Sequence, residues 1–390
     1  MMETIFIALA TLILHPLVYI GIIVMAISAV VRVKQERNSF HTRVYAKRAE
    51  YIVSFFPSLL AGISASVILL ALGMVFPVQL LVLVGLASAT LLLTGQLSSQ
   101  SPIYIMSLAT VFFICLPYVS LPTWMIVSPG DIPPYASIMA FTIILLLVHA
   151  GLIYKNGAKL TSPQIEEGKR GRFVGIHRIK RLWIVPLVLF IPEGIIPSFT
   201  YWPVFNVNGA GLQPIILPFI FGFGHTVRSL PSVFITNQAR KSATLAVGLV
   251  VPTVFMFFFQ NEWLFLATLG GALMVQIGFH LSLVIKSRTE AAFFTEEQRS
   301  CKVVGVLPGS PAEKMAIQIG EEVVRVNGQT VSDETSLYKA LQVNPVYCKL
   351  EVKDLQGEKR FVKGPLYSGE HYQLGVLLVR KREKLSDSVI

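Results

Sequence analysis

The chain is poor in charge, poorer still in acid, and nearly without cysteine. Only 14% of its 390 residues are charged, whereas 53% are hydrophobic. That balance lies outside ordinary soluble domains and inside the range of polytopic membrane proteins. The cysteines, Cys115, Cys301 and Cys348, are an odd number at wide spacing, which gives neither a disulfide framework nor a zinc pattern. A cleavable leader is not expected, because the opening segment has Glu3, no basic n-region, and an apolar run from Ile5 to about Val31 that is too long for one. It reads as a first spanning helix.

Lys and Arg are absent from long stretches and dense in a few short ones. Residues 1–290 hold 19 Lys+Arg and 9 Asp+Glu, so the net charge of +11 lies almost wholly in the apolar part. Basic loops that fix orientation account for this excess, and no nucleic acid is expected as a partner.

A hydrocarbon core about 30 Å thick needs about 20 apolar residues in helical form. Candidate spans lie near 5–31, 51–75, 78–94, 103–127, 135–154, 183–205, 212–227, 243–259 and 263–285. Pro186, Pro192, Pro197, Pro203, Pro214 and Pro218 interrupt the sixth and seventh, which read as two broken spans or one re-entrant hairpin buried against other helices. Seven to nine spans result, an odd number either way. Residues 32–50 and 155–181 are strongly basic, whereas 76–77, 128–134, 206–211 and 260–262 contain no Lys or Arg. The expected arrangement has the N-terminus outside, a transmembrane domain at 1–285, a linker at 286–298, and a cytoplasmic domain at 299–380 with a tail at 381–390.

Polar side chains expected at membrane depth are His15, His149, His225, His280 and Glu193. Glu193, between Pro192 and Gly194, resembles the interrupted helices where transporters hold substrates, and is the candidate intramembrane polar site. Catalysis finds little support. None of the seven histidines stands one helical turn from another with an intervening glutamate, as an intramembrane zinc protease requires. There is no room for a soluble Ser-His-Asp domain. Ser64 or Ser66 with His149 stays open as a dyad, but those serines look like small residues at helix contacts. No catalytic residue, metal ligand or cofactor is assigned.

The last ninety residues change character. Val303 to Leu307 reads as a strand ended by Pro308-Gly309, and Ser310-Pro311-Ala312-Glu313 has the form of a capping box with proline at the first helical position. Glu322 to Val326 alternates as a half-buried strand before Asn327-Gly328, the preferred two-residue hairpin turn. Ser332 or Asp333 can cap a helix running to about Val343 and stopped by Pro345; strands follow at Lys349 to Lys353, Arg360 to Lys363 and Val376 to Val379. These residues resemble a PDZ domain in the permuted bacterial order, a small α+β fold. Two departures from the family pattern are Met315-Ala316-Ile317, where a small-Gly-hydrophobic triplet is usual, and Glu321 in place of Asp.

The resemblance implies that an extended ligand adds beside Val376, Leu377, Leu378 and Val379. Its carboxylate would be held in the loop of Gln373, Leu374 and Gly375, with Glu334, Tyr338 and Leu341 on the opposite wall. The chain ends in Ser388-Val389-Ile390, an end that many such domains accept, which makes self-association through the tail an expectation.

The whole plan, an α-helical polytopic membrane bundle followed by a PDZ domain, together with His15-Pro16-Leu17 and the basic segment Arg32 to Val44, resembles the MinJ family of cell-division topological determinants of Gram-positive bacteria. The resemblance implies a non-catalytic adaptor of the septum and poles that bridges DivIVA and the ATPase MinD. Anionic lipids at the basic loops are further expected partners. The alternatives are a transporter or channel-like membrane half regulated by the PDZ domain and, behind it, an intramembrane protease.

Overall fold

A computed structural model describes residues 2–116, 134–168, 171–199, 201–205, 211–289, 291–295, 301–344, 346–366 and 374–379. The expected first span divides in two, α1 (Met2–Leu14) and α2 (Pro16–Phe40). The physical reason is Pro16. It lacks an N–H and pushes His15 into extended backbone with ψ 124°, from which His15 Nδ1 caps α2 by accepting from Leu17 N at 3.3 Å. Then come α3 (Ala49–Leu72), α4 (Val78–Leu93), a 3-10 turn at Leu97–Ser99, α5 (Pro102–Cys115) and α6 (Tyr135–Asn156). After an intervening sheet come α7 (Pro231–Phe259) and α8 (Glu262–Thr289). Among the described residues five helices, α2, α3, α6, α7 and α8, are long and apolar enough to cross a membrane; α4 and α5 are apolar but shorter.

The sixth and seventh expected helical spans are strands. After β1 (Ser162–Glu167), β2 (Phe173–Ile196) and β3 (Leu212–Val227) form one long antiparallel hairpin, in register from His177↔Val227 to Pro192↔Leu212. The prolines that count against a helix suit this ladder. Pro186 faces Pro218, Phe190 faces Pro214, and Pro192 faces Leu212, all an even number of residues apart along the register. Two facing prolines have no N–H to exchange, so these positions are the non-hydrogen-bonded pairs, whose backbone groups point to the outer edges of the hairpin.

Those edges are buried against helices, where an unpaired amide would be costly. On β2 four successive outward positions, Pro186, Val188, Phe190 and Pro192, carry either no donor or a satisfied amide. Val188 N donates to Ser66 Oγ of α3 at 2.9 Å, and Phe190 N donates to Met74 O at 3.0 Å. On β3, Gly222 N donates to Gln100 O at 3.0 Å. Gly222 must be glycine, since a Cβ there would lie 2.3 Å from Leu97 O. Gly62 serves the same purpose on α3, where a Cβ would lie 2.5 Å from Pro186 O. The main apolar core forms around this hairpin, with Trp183, Leu187, Phe219 and Phe221 buried among residues of α3 to α8.

The second sheet belongs to the tail. Its elements are β5 (Cys301–Val306), α9 (Pro311–Lys314), β6 (Glu322–Val326), β7 (Gln329–Thr330), α10 (Glu334–Gln342), β8 (Tyr347–Lys353), β9 (Lys359–Pro365) and β10 (Val376–Leu378). The strand order is β10-β5-β6-β8-β9, with β7 against β6. The stretch expected as a linker, 286–298, instead holds the end of α8 and a short strand β4 (Phe294–Thr295) paired with β2.

Candidate functional site

The groove expected from the sequence would lie between β10 and α10. Local chemistry sets both. Asn327 and Gly328 take positive φ, 49° and 85°, in the turn after β6. From that turn Asn327 Nδ2 donates to Ala340 O at 3.0 Å while its Oδ1 accepts from Lys349 N at 2.9 Å, so one side chain ties α10 to β8. Asp333 caps α10, with Oδ1 accepting from Ser336 N at 2.6 Å and Ser336 Oγ accepting in return from Asp333 N at 3.0 Å. The hydrogen bonds from Ser336, backbone first and side chain second, hold the Asp333 carboxyl below its ordinary value of 3.8. On α9, Ser310 Oγ accepts from Glu313 N, as the capping pattern requires.

β10 ends the sheet. Its one partner is β5, and among the described residues its other edge pairs with no strand. The loop before it is fixed by Leu307 N donating to Gly375 O at 2.8 Å and Ala312 N donating to Leu374 O at 3.0 Å. Among the described residues the amides of Leu374 and Gly375 donate to no protein acceptor. Gly375 has φ 86°, and a Cβ there would sit 2.2 Å from that of Ser310, so no other residue fits.

The assigned side chains divide by role. Val376, Leu378, Tyr338 and Leu341 share one apolar cluster; Val376 and Tyr338 are half-buried, whereas Leu341 is core. Val379 and Glu334 are half-buried at the ends of their elements. Leu377 turns the other way and packs with Phe40 and Val44, so the groove strand also seats the domain on the end of α2. Gln373 and Ser388-Val389-Ile390 lie outside the described residues. Both departures from the family pattern have structural consequences. Glu321 reaches Arg360 through two bonds, 2.9 and 2.7 Å, and Ala316 is held at φ 54°.

One cation of the basic segment 32–50, Arg32, is built into the fold, while Lys34, Arg37, Arg43, Lys47 and Arg48 are exposed. Arg32 Nε donates to Glu50 Oε1 at 2.7 Å and its Nη1 to Glu36 Oε1 at 2.8 Å, and Arg181 Nη1 of β2 reaches Glu50 Oε2 at 3.4 Å. Glu36 also accepts from Val44 N and Ser162 Oγ. Arg32, Glu36, Glu50 and Arg181 are all buried, so these two arginines are not placed to meet lipid or a partner. The i,i+4 spacing of Arg32 and Glu36 is a readable signal; the partners from α3 and β2 are not.

Glu193 does not occupy a broken helix. It stands exposed near the end of β2, with φ 68°, at the irregularity where both Pro192 and Ile196 face Leu212. Ser66 is engaged by Val188 N, Ser64 Oγ donates to Ala61 O, and His149 Nε2 lies 3.2 Å from Gly222 O. The proposed dyad members are thus committed to separate structural bonds. No group of metal-ligating side chains occurs among the described residues. Burial pushes the Cys301 and Cys348 thiols up to about 12, which leaves them inert as nucleophiles.

A family model described as the PDZ domain matches residues 275–353, and the folded sheet continues past that match to Leu378. The chain is 31% identical to the cell division topological determinant MinJ of Bacillus subtilis over 374 residues, 94% of this chain and 93% of that protein. It is 25% identical over 255 residues to a probable MinJ of Lacticaseibacillus paracasei, covering 60% of this chain and 63% of the relative. With near-complete coverage of the Bacillus protein added to the PDZ match and the apolar helices ahead of it, the chain belongs to the MinJ family of cell division topological determinants.

Proposed function

We propose that the protein is a non-catalytic membrane scaffold that recruits cytoplasmic partners through the groove between β10 and α10. The observation that carries this reading is that, among the described residues, the edge of β10 is unpaired and the two amides before it have no protein acceptor. An extended peptide can add there as a further strand, with its carboxylate on those amides.

The orientation is part of the same reading. A hairpin that enters and leaves on one side replaces two expected crossings, so the count stays odd. The basic segments and the tail keep the inner side, and the N-terminus keeps the outer one. By resemblance to the family, the partners are DivIVA and MinD, and the scaffold places the MinCD division inhibitor at poles and septum. Self-association through Ser388-Val389-Ile390 belongs to the same groove chemistry.

The test is retention of DivIVA and MinD by the full-length protein in detergent. Gly375→Val is expected to abolish retention of the groove-bound partner, and Glu193→Gln to leave it unchanged. The reverse ranking would end the adaptor reading in favour of a transport-type membrane half.

A further inference from the structure

A cavity of about 910 Å³ lies between the foot of the β2/β3 hairpin and the helices α7 and α8. Six cations line it: Arg178 and Lys180 from β2, Arg228 just after β3, Arg240 and Lys241 from α7, and Lys286 from α8. Among the described residues its lining contains no carboxylate. Among the described residues two acids, Glu166 and Glu167, line an adjoining hollow that shares Arg178 and Arg228 with it; Glu166 Oε2 accepts from Arg228 Nη2 at 3.2 Å, while Arg228 Nη1 donates to Ser287 O at 3.1 Å. Arg228 is therefore anchored in the wall. Arg178 differs, because its Nε is buried with no hydrogen-bond partner.

Like charges gathered around one cavity repel unless an anion joins them, and low-dielectric walls strengthen the field there. The cavity also has an apolar side. Val233 and Val284 line it and are 55% and 37% exposed, on helices whose outward faces continue in Val247, Leu281 and Ile285. A cationic floor that opens onto a hydrocarbon-facing wall suits a phosphate that carries acyl chains.

We propose that this cavity binds the phosphate group of an anionic phospholipid. The site does not rest on the peptide groove. Arg178 and Lys180 belong to the basic stretch 155–181, one of the two where anionic lipid is expected from the sequence.

The test uses the full-length protein in non-ionic detergent micelles doped with phosphatidylglycerol or phosphatidylcholine, with bound lipid counted after gel filtration. Phosphatidylglycerol is expected to be retained and phosphatidylcholine lost. Lys180→Gln combined with Lys241→Gln should weaken phosphatidylglycerol binding roughly thirtyfold, at about fivefold for each cation. The same charge removed from the tail domain, as Lys339→Gln with Lys353→Gln, should leave it unchanged. Equal retention of both lipids, or equal losses in both double variants, would overturn the proposal. Displacement of phosphatidylglycerol by inorganic phosphate at equal concentration would also overturn it, reassigning the cavity to a free anion. If the cavity variant does not fold, the two-lipid and phosphate comparisons on the unaltered protein decide.

Discussion

The molecule contains two sheets that treat their edges in opposite ways. The β2/β3 hairpin lies among apolar helices and closes many of its outer positions, with Pro186, Pro192, Pro214 and Pro218 carrying no donor and Val188, Phe190 and Gly222 donating to neighbours. Among the described residues the tail sheet leaves β10 unpaired on its outer side. An open edge is a liability that proteins usually blunt, so an edge unpaired among the described residues beside two amides without acceptors there supports the proposed peptide site. Closure in the first sheet serves stability, and exposure in the second is what the proposed recognition requires.

The closed sheet should be the easier one to break. Removing the Glu50 carboxylate takes a partner from both Arg32 and Arg181 at the foot of β2, and uncompensated buried charge costs about 3–5 kcal/mol. Glu50→Ala is expected to lower the thermal unfolding midpoint of the detergent-solubilised protein more than Ser66→Ala does, and an unchanged midpoint would mean the network is solvated. Ser66→Ala strands the Val188 amide and should cost about 1–3 kcal/mol by the same measurement. Peptide retention by the variant, normalised to folded protein, should not move, because the open edge lies in the other sheet.

The same contrast explains what could be read in advance. The tail was legible because its signals are local: Asn327-Gly328 specifies a turn, Ser310 and Asp333 specify helix starts, and Gly375 marks the loop. The hairpin was not, since an apolar run long enough to span a membrane has the same composition whether it coils or extends. Pro186 and Pro192, like Pro214 and Pro218, stand an even number of residues apart, which suits alternate positions of a strand, but Pro214 and Pro218 would equally share one face of a helix. Arg32 and Arg181 look like loop cations until Glu50 is brought between them by the fold. Nor does any pattern in the tail announce that Leu377 would face Phe40 and leave Val376 and Leu378 to the groove side.

The open sheet can also be sharpened without touching its edge. Ala316 is held at φ 54°, a left-handed conformation that costs a residue with a Cβ about 1–2 kcal/mol. Ala316→Gly removes that cost and gives back part of it as chain entropy, so the net expected gain is about 1 kcal/mol. A raised unfolding midpoint with unaltered peptide affinity would confirm that the strain lies in the frame of the domain; a lowered midpoint would show that the neighbours of Ala316 have absorbed it.

The smallest expected effect concerns the cap of α10, the helical wall of the open groove. Because hydrogen bonds from Ser336 depress the folded-state pKa of Asp333 below 3.8, the ionised cap contributes stability that is fully present above that ordinary value. The contribution is lost as pH falls through the depressed folded value, so the window lies below about pH 4 and the groove is indifferent to acid at neutrality. Hydrogen exchange at the Ser336 amide, corrected for its intrinsic rate, should therefore be flat from neutral pH down to that window and rise inside it. Asparagine caps a helix about as well as aspartate and carries no titratable group. Asp333→Asn is thus expected to keep the protection and abolish its fall in acid. If the variant loses protection at every pH, the negative charge at the helix start, and not the hydrogen-bond geometry, is what holds this wall of the groove in place.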